Sequence, residues 1–416
     1  MLKRPMILRL AFVIVLLMCF SSVFALGYAY WDQTINTQEN TVNIGDWGVP
    51  ITTPLEFYTF ATKSNSTNSD RYFLMNDIDF SGFNWVYNSS TSSVVFRGIL
   101  DGNGKALRNL TLSYSNYSYS NKYLGIFPIM QGGSVYNVTL ENINLVLGSN
   151  YLNRSNLRSG LIAGEVSGST NTISGITIIN CGVRGTNDYG VGGLIGTVTS
   201  SSAVVNIDNV KATNLKVFSK TSYVGGLIGR IYTSGATVNI NDIDIEGEVY
   251  SPNNSSYTGG VIGGINYGGK LNVNRAIVEM TSRNTLETNY NYNNYSVKYL
   301  GGIIGRNQSS KANIYLTDTY FTGSLYTQTK NNRGYVGTLI GASSTAYNKT
   351  RTYYANVTYR ASNGSFITSP DTTIRGTMAD LAAADIPWWN DFKINFDSAN
   401  NLWGQDSTGR LYLIRP

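Results

Sequence analysis

Short apolar runs separated by glycine clusters recur through the middle of the chain. One copy, YVGGLIGRIYTSGATVNINDIDIEGEV at residues 223–249, has a glycine cluster followed by β-branched residues that alternate with polar ones. Alternation with a period of two is typical of a β-strand with one buried face, and glycine permits tight turns between short strands. The pattern therefore predicts short strands connected by close turns.

The glycine cluster occurs seven times at regular intervals. The aligned first positions of the seven copies are Gly125, Ser159, Gly192, Gly225, Gly259, Gly301 and Gly337. They are separated by 34, 33, 33, 34, 42 and 36 residues. Such a period is typical of a solenoid, in which single units cannot bury an apolar face and the stacked units share one core. We therefore predict an all-β fold: a right-handed parallel β-helix or solenoid of about seven repeats of 33–42 residues, with N- and C-terminal caps.

A polar residue follows each of the first six clusters inside a strand-like run, 16 to 21 positions after the aligned residue. These second landmarks are Asn142, Asn180, Asn209, Asp242, Arg275 and Asp318. We expect all six to lie at equivalent points of successive rungs.

The G-G-[LVI]-I-G clusters, with an Asn-bearing strand between them, resemble the GLUG-motif repeats of bacterial surface proteins. The segments RYFLMNDIDFSG at 71–82 and VFRGILDGNGKALRNLTL at 95–112 resemble the part that precedes those repeats. The resemblance covers about residues 55–360 and implies a β-solenoid exposed on a cell surface. Ser159 and Thr338 depart from its glycine pattern, so the register of the first and last rungs is open.

The chain begins with an export segment. Lys3 and Arg4 precede an apolar run from Leu10 to Phe20, and Ala25 ends a small-residue motif suited to cleavage. Residues 1–29 are therefore a signal peptide or an uncleaved membrane anchor, and lipidation at Cys19 is a third reading. Each reading implies an extracellular or cell-surface protein that touches a membrane only through this segment.

The remaining boundaries follow the repeats. We expect a linker at 30–54, an N-terminal cap and the first rungs at 55–122, the GLUG-like repeats at 123–365 and a C-terminal cap at 366–416. Near-helical spacing at 54–65 and 377–386 predicts a short helix in each cap. In the second cap, Trp388, Trp389, Phe392, Phe396 and Trp403 are expected to close the last rung, with sugar binding by these tryptophans as the alternative.

The composition excludes or disfavours several kinds of catalytic site, crosslink and partner. Histidine is absent, which excludes Ser-His-Asp and Cys-His nucleophile systems. Cys181 is the single cysteine outside the export segment, so no intrachain disulfide is expected in the mature chain. The net charge of +6 is small for 416 residues and does not indicate a nucleic-acid partner.

Two groups of acidic residues are candidate sites. Asp242, Asp244, Glu246 and Glu248 alternate along one strand, where we expect a solvated outer face; a Ca²⁺ site is the alternative. Asp77, Asp79 and Asp101 are expected to stabilise turns, with a glycosidase pair as the alternative. We predict no catalytic residue, no metal and no cofactor.

The positions of the tyrosines lead to two further predictions, a structural ladder and a ligand-binding loop. A tyrosine stands two residues before the aligned glycine in most copies, at Tyr123, Tyr223, Tyr257, Tyr299 and Tyr335, which predicts a structural ladder. The 42-residue unit also contains a long polar loop, RNTLETNYNYNNYSVKY at 283–299. Tyr and Asn in exposed loops are typical of adaptable recognition. We therefore predict Tyr290, Tyr292 and Tyr295 as ligand-binding residues.

These features predict an exported, non-catalytic cell-surface protein that serves adhesion, ligand recognition or envelope structure. Its partner would be a protein or glycan on a host or neighbouring cell. The alternative is a β-helical enzyme that acts on polysaccharide, a lyase or a glycosidase, with its acids at Asp242–Glu248 or Asp77–Asp101.

Overall fold

In the part of the chain that the structure describes, the fold is a parallel β-solenoid of about six turns that consists almost entirely of strands, with one helix. The prediction of an all-β solenoid is confirmed, and the expected seven repeats are close to the observed number. A computed structural model describes residues 48–62, 70–85, 94–114, 123–147, 157–185, 188–220, 223–252, 256–284, 298–327, 334–361, 367–368, 403–405 and 411–413. The chain divides into Met1–Gly48 and Val49–Pro416, and every element below belongs to the second unit.

The N-terminal part contains the helix α1, Pro54–Thr62, and short strands. These strands are β1 Val49–Ile51, β2 Arg71–Leu74, β3 Ile78–Asp79, β4 Val95–Phe96, β5 Ile99–Asp101, β6 Ala106–Arg108, β7 Thr111–Tyr114, β8 Tyr123–Leu124, β9 Phe127–Gln131, β10 Ser134–Tyr136, β11 Thr139–Glu141 and β12 Asn144–Leu147.

The later rungs are more regular and contain longer strands. These are β13 Leu157–Ser159, β14 Ala163–Ser167, β15 Thr170–Ile179, β16 Gly182–Arg184, β17 Asp188–Gly192, β18 Ile195–Val198, β19 Val204–Phe218, β20 Tyr223–Gly225, β21 Ile228–Ile231, β22 Thr237–Tyr250, β23 Tyr257–Gly259, β24 Ile262–Ile265, β25 Gly269–Asn284, β26 Lys298–Gly301, β27 Ile304–Asn307, β28 Ala312–Thr327, β29 Gly334–Gly337, β30 Ile340–Ser343, β31 Asn348–Ala361, β32 Ile367–Thr368, β33 Trp403–Gln405 and β34 Leu411–Leu413.

Each turn of the solenoid contributes strands to three parallel sheets. The long sheet runs β1-β2-β5-β10-β15-β19-β22-β25-β28-β31. The first short sheet runs from β8 to β32, and the second short sheet runs from β4 to β30. The hairpin of β33 and β34 is antiparallel.

The glycine clusters form the turns between the two short sheets. Between β20 and β21, Gly226 and Leu227 reverse the chain, and Leu227 and Ile228 are fully buried. A methyl group on Gly226 would overlap the carbonyl oxygen of Gly260 in the next rung. Glycine is therefore required because neighbouring turns stack backbone against backbone.

A column of left-handed residues bends the long sheet in the central rungs. Asn209, Asp242, Arg275 and Asp318 have φ values of 50°, 52°, 50° and 49° and follow one another in register. The short polar side chains of Asn and Asp suit this conformation, which few other non-glycine residues adopt. Four of the six second landmarks thus lie at equivalent points.

Asn142 and Asn180 do not belong to that column, so the expectation that all six landmarks are equivalent is wrong. They lie in a second left-handed column with Asn109 and Asn214. In these early rungs separate short strands take the place of one long strand, and Asn137 occupies the first column instead. Two bends per rung, both suited to asparagine, explain the misassignment.

Helix α1 covers the apolar end of the first rungs. Its N-terminus is a capping box, since the Glu56 amide donates to the Thr53 hydroxyl and the Thr53 amide donates to the Glu56 carboxylate, both at 3.2 Å. Phe57 and Phe60 are buried against Phe80 and Phe127. The helix lies where near-helical spacing predicted one and ends three residues earlier.

Other expectations fall outside the described residues. These are the export segment, the C-terminal helix at 377–386 and the aromatic residues Trp388, Trp389, Phe392 and Phe396. No helix in the described part of the chain is both long and apolar enough to cross a membrane. Cys181 is free and buried, and burial raises the pKa of its thiol to about 11.

Candidate functional site

The outer face of the long sheet carries a polar groove that runs across β15, β19, β22, β25 and β28. Its volume is about 740 Å³. One row of lining residues consists of Thr172, Asn206, Asn239, Asn272 and Tyr315. The second row consists of Ser174, Asp208, Asn241, Asn274 and Thr317, and Tyr136 lines the N-terminal end. We call this surface the asparagine groove.

Strand alternation places the two rows on the same face. The rows are two residues apart on each strand, and the residue between them points into the core: Ile207, Ile240 and Val273 are fully buried. The outward residues on these strands are half-buried. The groove is therefore a direct product of the solenoid register.

Hydrogen bonds between rungs order the first row. The Nδ2 of Asn239 donates to the Oδ1 of Asn206 at 2.8 Å, and the Nδ2 of Asn272 donates to the Oδ1 of Asn239 at 2.6 Å. In the second row, the side chains of Asn241 and Asn274 make no hydrogen bond to the described residues. Each of these amides has one donor group and one acceptor group to offer a ligand.

The carboxyl group in the groove is electrostatically unusual. Burial raises the pKa of Asp208, and the nearby Asp242 carboxyl, within hydrogen-bonding reach, raises it further. Asp242 is itself paired with Arg275, whose Nε and Nη2 donate to its two oxygens at 2.5 and 2.7 Å. Asp208 thus favours its protonated form more than an exposed aspartate does, and the neighbouring Asp242 carboxylate is engaged through both oxygens by the Arg275 guanidinium group.

The acidic strand is not the solvated face that we expected. Asp244 is only 1% exposed, and Ile277 and Tyr320, which follow it in register, are also buried. Asp242 and Glu248 are ion-paired with Arg275 and Arg283 of the next rung. That part of the outer face is covered, and β34 contacts β22.

The side chains of the acidic strand are not arranged as ligands of a Ca²⁺ ion. In the described ranges, no group of three or more Asp, Glu, His or Cys residues is arranged to hold a metal ion. The arginine partners of Asp242 and Glu248 occupy the oxygens that a Ca²⁺ ion would need. The absence of calcium binding stays a prediction.

Asp77, Asp79 and Asp101 accept hydrogen bonds in turns. Asp77 accepts from the Ala106 amide at 2.9 Å, Asp79 from the Asn109 side chain at 2.9 Å and Asp101 from the Asn103 amide at 2.8 Å. These bonds lower the pKa of Asp77 and Asp79. A general acid needs the opposite shift, so the geometry favours the expected structural role.

The tyrosine column forms a buried stack. The ring centroids of Tyr223 and Tyr257 are 4.6 Å apart and those of Tyr257 and Tyr299 are 5.2 Å apart. Tyr223 and Tyr299 are 7% and 8% exposed. The predicted structural ladder is present at these three positions.

An arginine is enclosed by the same column. The Arg230 guanidinium carbon lies 3.7 Å from the ring centroid of Tyr189 and 4.1 Å from those of Tyr223 and Tyr232. Burial lowers the pKa of Arg230, and the negative ring faces offset part of that cost. Arg230 is 6% exposed, which leaves little of it available to a ligand.

The predicted ligand-binding residues Tyr290, Tyr292 and Tyr295 lie outside the described residues, between β25 and β26. Sequence reasoning missed the asparagine groove. Its signal was present as NID, NIN and NVN at 206–208, 239–241 and 272–274, a polar pair around one buried residue repeated every 33 positions. The acids and tyrosines were more conspicuous than this repeated amide pair.

No family model matches the chain. An alignment over 162 residues, which covers 35% of the chain, shows 32% identity to part of halomucin from Haloquadratum walsbyi. The match spans only 2% of halomucin.

A solved structure is similar over most of its length. It belongs to a Bacteroides ovatus protein provisionally called an immunoglobulin A1 protease, with a TM-score of 0.51 and 15% identity over 89% of this chain and 93% of that one. The shared property is the fold.

Proposed function

We propose that this chain is an exported, non-catalytic cell-surface or extracellular protein that recognises carbohydrate through the asparagine groove. The observation that carries the proposal is the pair of half-buried amides of Asn241 and Asn274, which have no hydrogen-bond partner among the described residues.

The chemistry of the groove suits a sugar. Amide side chains donate and accept hydrogen bonds, as vicinal hydroxyl groups do. Tyr136 and Tyr315 line opposite ends, and Tyr315 is 38% exposed, so each ring can pack on the apolar face of a pyranose. Because the Asn206–Asn239–Asn272 ladder is already ordered, a ligand loses less side-chain entropy there.

Three features support a surface location. The N-terminal segment has the pattern of an export signal, and the repeats resemble those of GLUG-motif surface proteins. The similarity to part of halomucin points the same way. The partner would then be a glycan on a host or neighbouring cell.

A second function, polysaccharide cleavage, is favoured by one observation. Asp208 combines a raised pKa with a place in the groove, which is typical of a general acid. However, a glycosidase needs a second available carboxyl group, whereas both oxygens of the neighbouring Asp242 accept hydrogen bonds from Arg275. Recognition is therefore the better-supported proposal. The Asp208→Asn variant separates the two functions, because it would abolish cleavage and leave a binding protein functional.

A glycan array tests the proposal with three proteins: the wild type, the Asn241→Ala/Asn274→Ala double variant and Asn313→Ala. Asn313 is exposed on β28, two residues from Tyr315 and outside the groove lining, so it is a matched control. We expect the wild type and the control to bind the same glycans and the double variant to lose about tenfold or more in affinity. Absence of glycan binding by the wild type, or equal binding by the double variant, would contradict the proposal.

A further inference from the structure

The asparagine groove repeats along the solenoid axis, and this repetition restricts its ligand. Asn206, Asn239 and Asn272 follow one another in register, and so do Asp208, Asn241 and Asn274. Each step along the axis is about 4.8 Å, the spacing of paired strands. The same polar pair is thus presented three times at one interval.

A ligand that uses every pair equally must repeat at the same interval. An extended polypeptide advances about 3.4 Å per residue, and its side chains return to one face about every 6.8 Å, so it falls out of step within two rungs. A pyranose residue in an extended, equatorially linked chain advances by nearly one rung, so the chain stays in step with the rungs, and successive residues present alternate edges to the amides. We propose that the groove binds a neutral, linear, extended polysaccharide that lies parallel to the solenoid axis with one sugar residue per rung. This inference rests on the proposed function.

The charge of the lining indicates a neutral chain. Asp208 is the only carboxyl group among the residues that line the groove, and neither Lys nor Arg is among them. Two cations border the groove: Arg275 is paired with Asp242, and the Lys270 ammonium group lies 5.5 Å from the ring centroid of Tyr315 at one end. A polyanionic glycan would therefore find no cation along the two amide rows and would be repelled wherever Asp208 is ionised. Hydroxyl and acetamido groups, by contrast, find amide partners on β19, β22 and β25 and hydroxyl partners on β15 and β28.

The positions of Tyr136 and Tyr315 at the two ends of the groove determine how long a sugar chain it can hold. Tyr136 lies on β10 and Tyr315 on β28, and β15, β19, β22 and β25 lie between them in the long sheet. Those five steps span about 24 Å. The groove therefore accommodates about five or six sugar residues, with an aromatic ring at each end.

The test is calorimetric titration of the full chain with oligomers of two, four, six and eight residues. Two neutral series are used, β-1,4-linked glucose and β-1,4-linked N-acetylglucosamine, and oligogalacturonate is the anionic series. We expect affinity for a neutral series to rise with length up to six residues and then level off. The Asn241→Ala variant should weaken the hexamer about tenfold, and Asn313→Ala should not. Asn241 has no described hydrogen-bond partner, so its replacement is not expected to unfold the protein.

Several results would overturn the inference. Affinity that does not depend on length would indicate a site for one or two sugars, and tighter binding of oligogalacturonate would contradict the neutral ligand. Unchanged hexamer binding by Asn241→Ala would place the site elsewhere. If the array shows glycan binding but neither neutral series binds, the inference fails and the proposed function stands. If the array also shows none, both fail.

Discussion

At the scale of single residues, the left-handed column beside the groove is where the chain departs most from ordinary preferences. Arginine rarely adopts a positive φ, yet Arg275 has φ 50° at a position where neighbouring rungs have Asn209, Asp242 and Asp318. The bidentate pair with Asp242 compensates for that conformation. Acid and base alternate along the column from Asp242 through Arg275 to Asp318.

Two substitutions at Arg275 distinguish the cost of its left-handed backbone conformation from the contribution of its ion pair with Asp242. Arg275→Ala and Arg275→Asn both remove the pair with Asp242, but asparagine tolerates the left-handed region. We expect Arg275→Asn to be more stable than Arg275→Ala by about 1 kcal/mol. Urea unfolding measures the difference. Equal stabilities would show that the backbone at this position carries no strain.

The raised pKa of Asp208 predicts the direction in which stability changes with pH. The unfolded chain releases this proton at the ordinary aspartate pKa of about 4, and the folded protein releases it at higher pH. Stability contributed by the protonated group is therefore complete below the ordinary pKa and is lost as pH rises through the folded-state pKa. The difference in melting temperature, Asp208→Asn minus wild type, should therefore be more positive at neutral pH than below pH 4.

Asp79→Asn is the matched control, because hydrogen bonds from Asn109 and Ser81 lower the pKa of Asp79. Its contribution is present above the ordinary pKa and is lost as pH falls through the folded-state pKa, so the substitution should destabilise more at neutral pH than in acid. The same sign for both variants would refute the assignment for Asp208.

At the scale of elements, the turns between the short sheets are the part most fully predicted from sequence. The clusters at 225–229, 259–263 and 301–305 were recognisable because backbone contact between rungs leaves no room for a Cβ, which forces glycine at a fixed period. The bends in the long sheet were less distinct. Asparagine serves in both left-handed columns, and Asn142 follows its aligned glycine by 17 residues, as Asn209 does, so offset alone could not separate these two. Asn180, at 21 residues, differed in offset but had the same residue type.

Substitution of Gly226 should test that stacking. Gly226→Ala places a methyl group against the Gly260 carbonyl and should destabilise the protein by about 3 kcal/mol or more. At Gly182 the same methyl group would approach only the Asn144 side-chain oxygen, at 2.9 Å, and that exposed side chain can move. Thermal unfolding should therefore leave Gly182→Ala near wild type; similar losses in both variants would contradict the stacked-turn account.

The loop between β25 and β26 makes its own prediction. Its unit carries 42 residues where most carry 33 or 34, and β25 and β26 keep their register with neighbouring strands on both sides of it. Deleting residues 286–295, which include Tyr290 and Tyr292, should leave the melting temperature nearly unchanged, since solenoids tolerate insertions in loops. We expect the deletion to weaken attachment to cells. Unfolding would show that the loop is structural, and undiminished attachment would leave the asparagine groove as the binding surface.

At the scale of the whole molecule, the sequence predicted the architecture but not the surface that carries the proposed function. The repeat period is visible in the sequence because every rung must place apolar residues at the same positions of the shared core. The groove depends on which outward rows stay open and which are covered. Asp244 and Asn241 belong to the same strand and both face outward, yet one is 1% exposed and the other is half-buried in the groove. That difference arises from tertiary packing, which strand alternation does not reveal.

The most direct measurement of the central claim is a crystal structure of the full chain with a bound neutral hexasaccharide from the series described above. The account predicts a sugar chain parallel to the solenoid axis, with successive residues hydrogen bonded to Asn241 and Asn274 and a terminal ring packed on Tyr315. A chain that crosses the strands, or one bound at 286–295 with the asparagine groove empty, would contradict it.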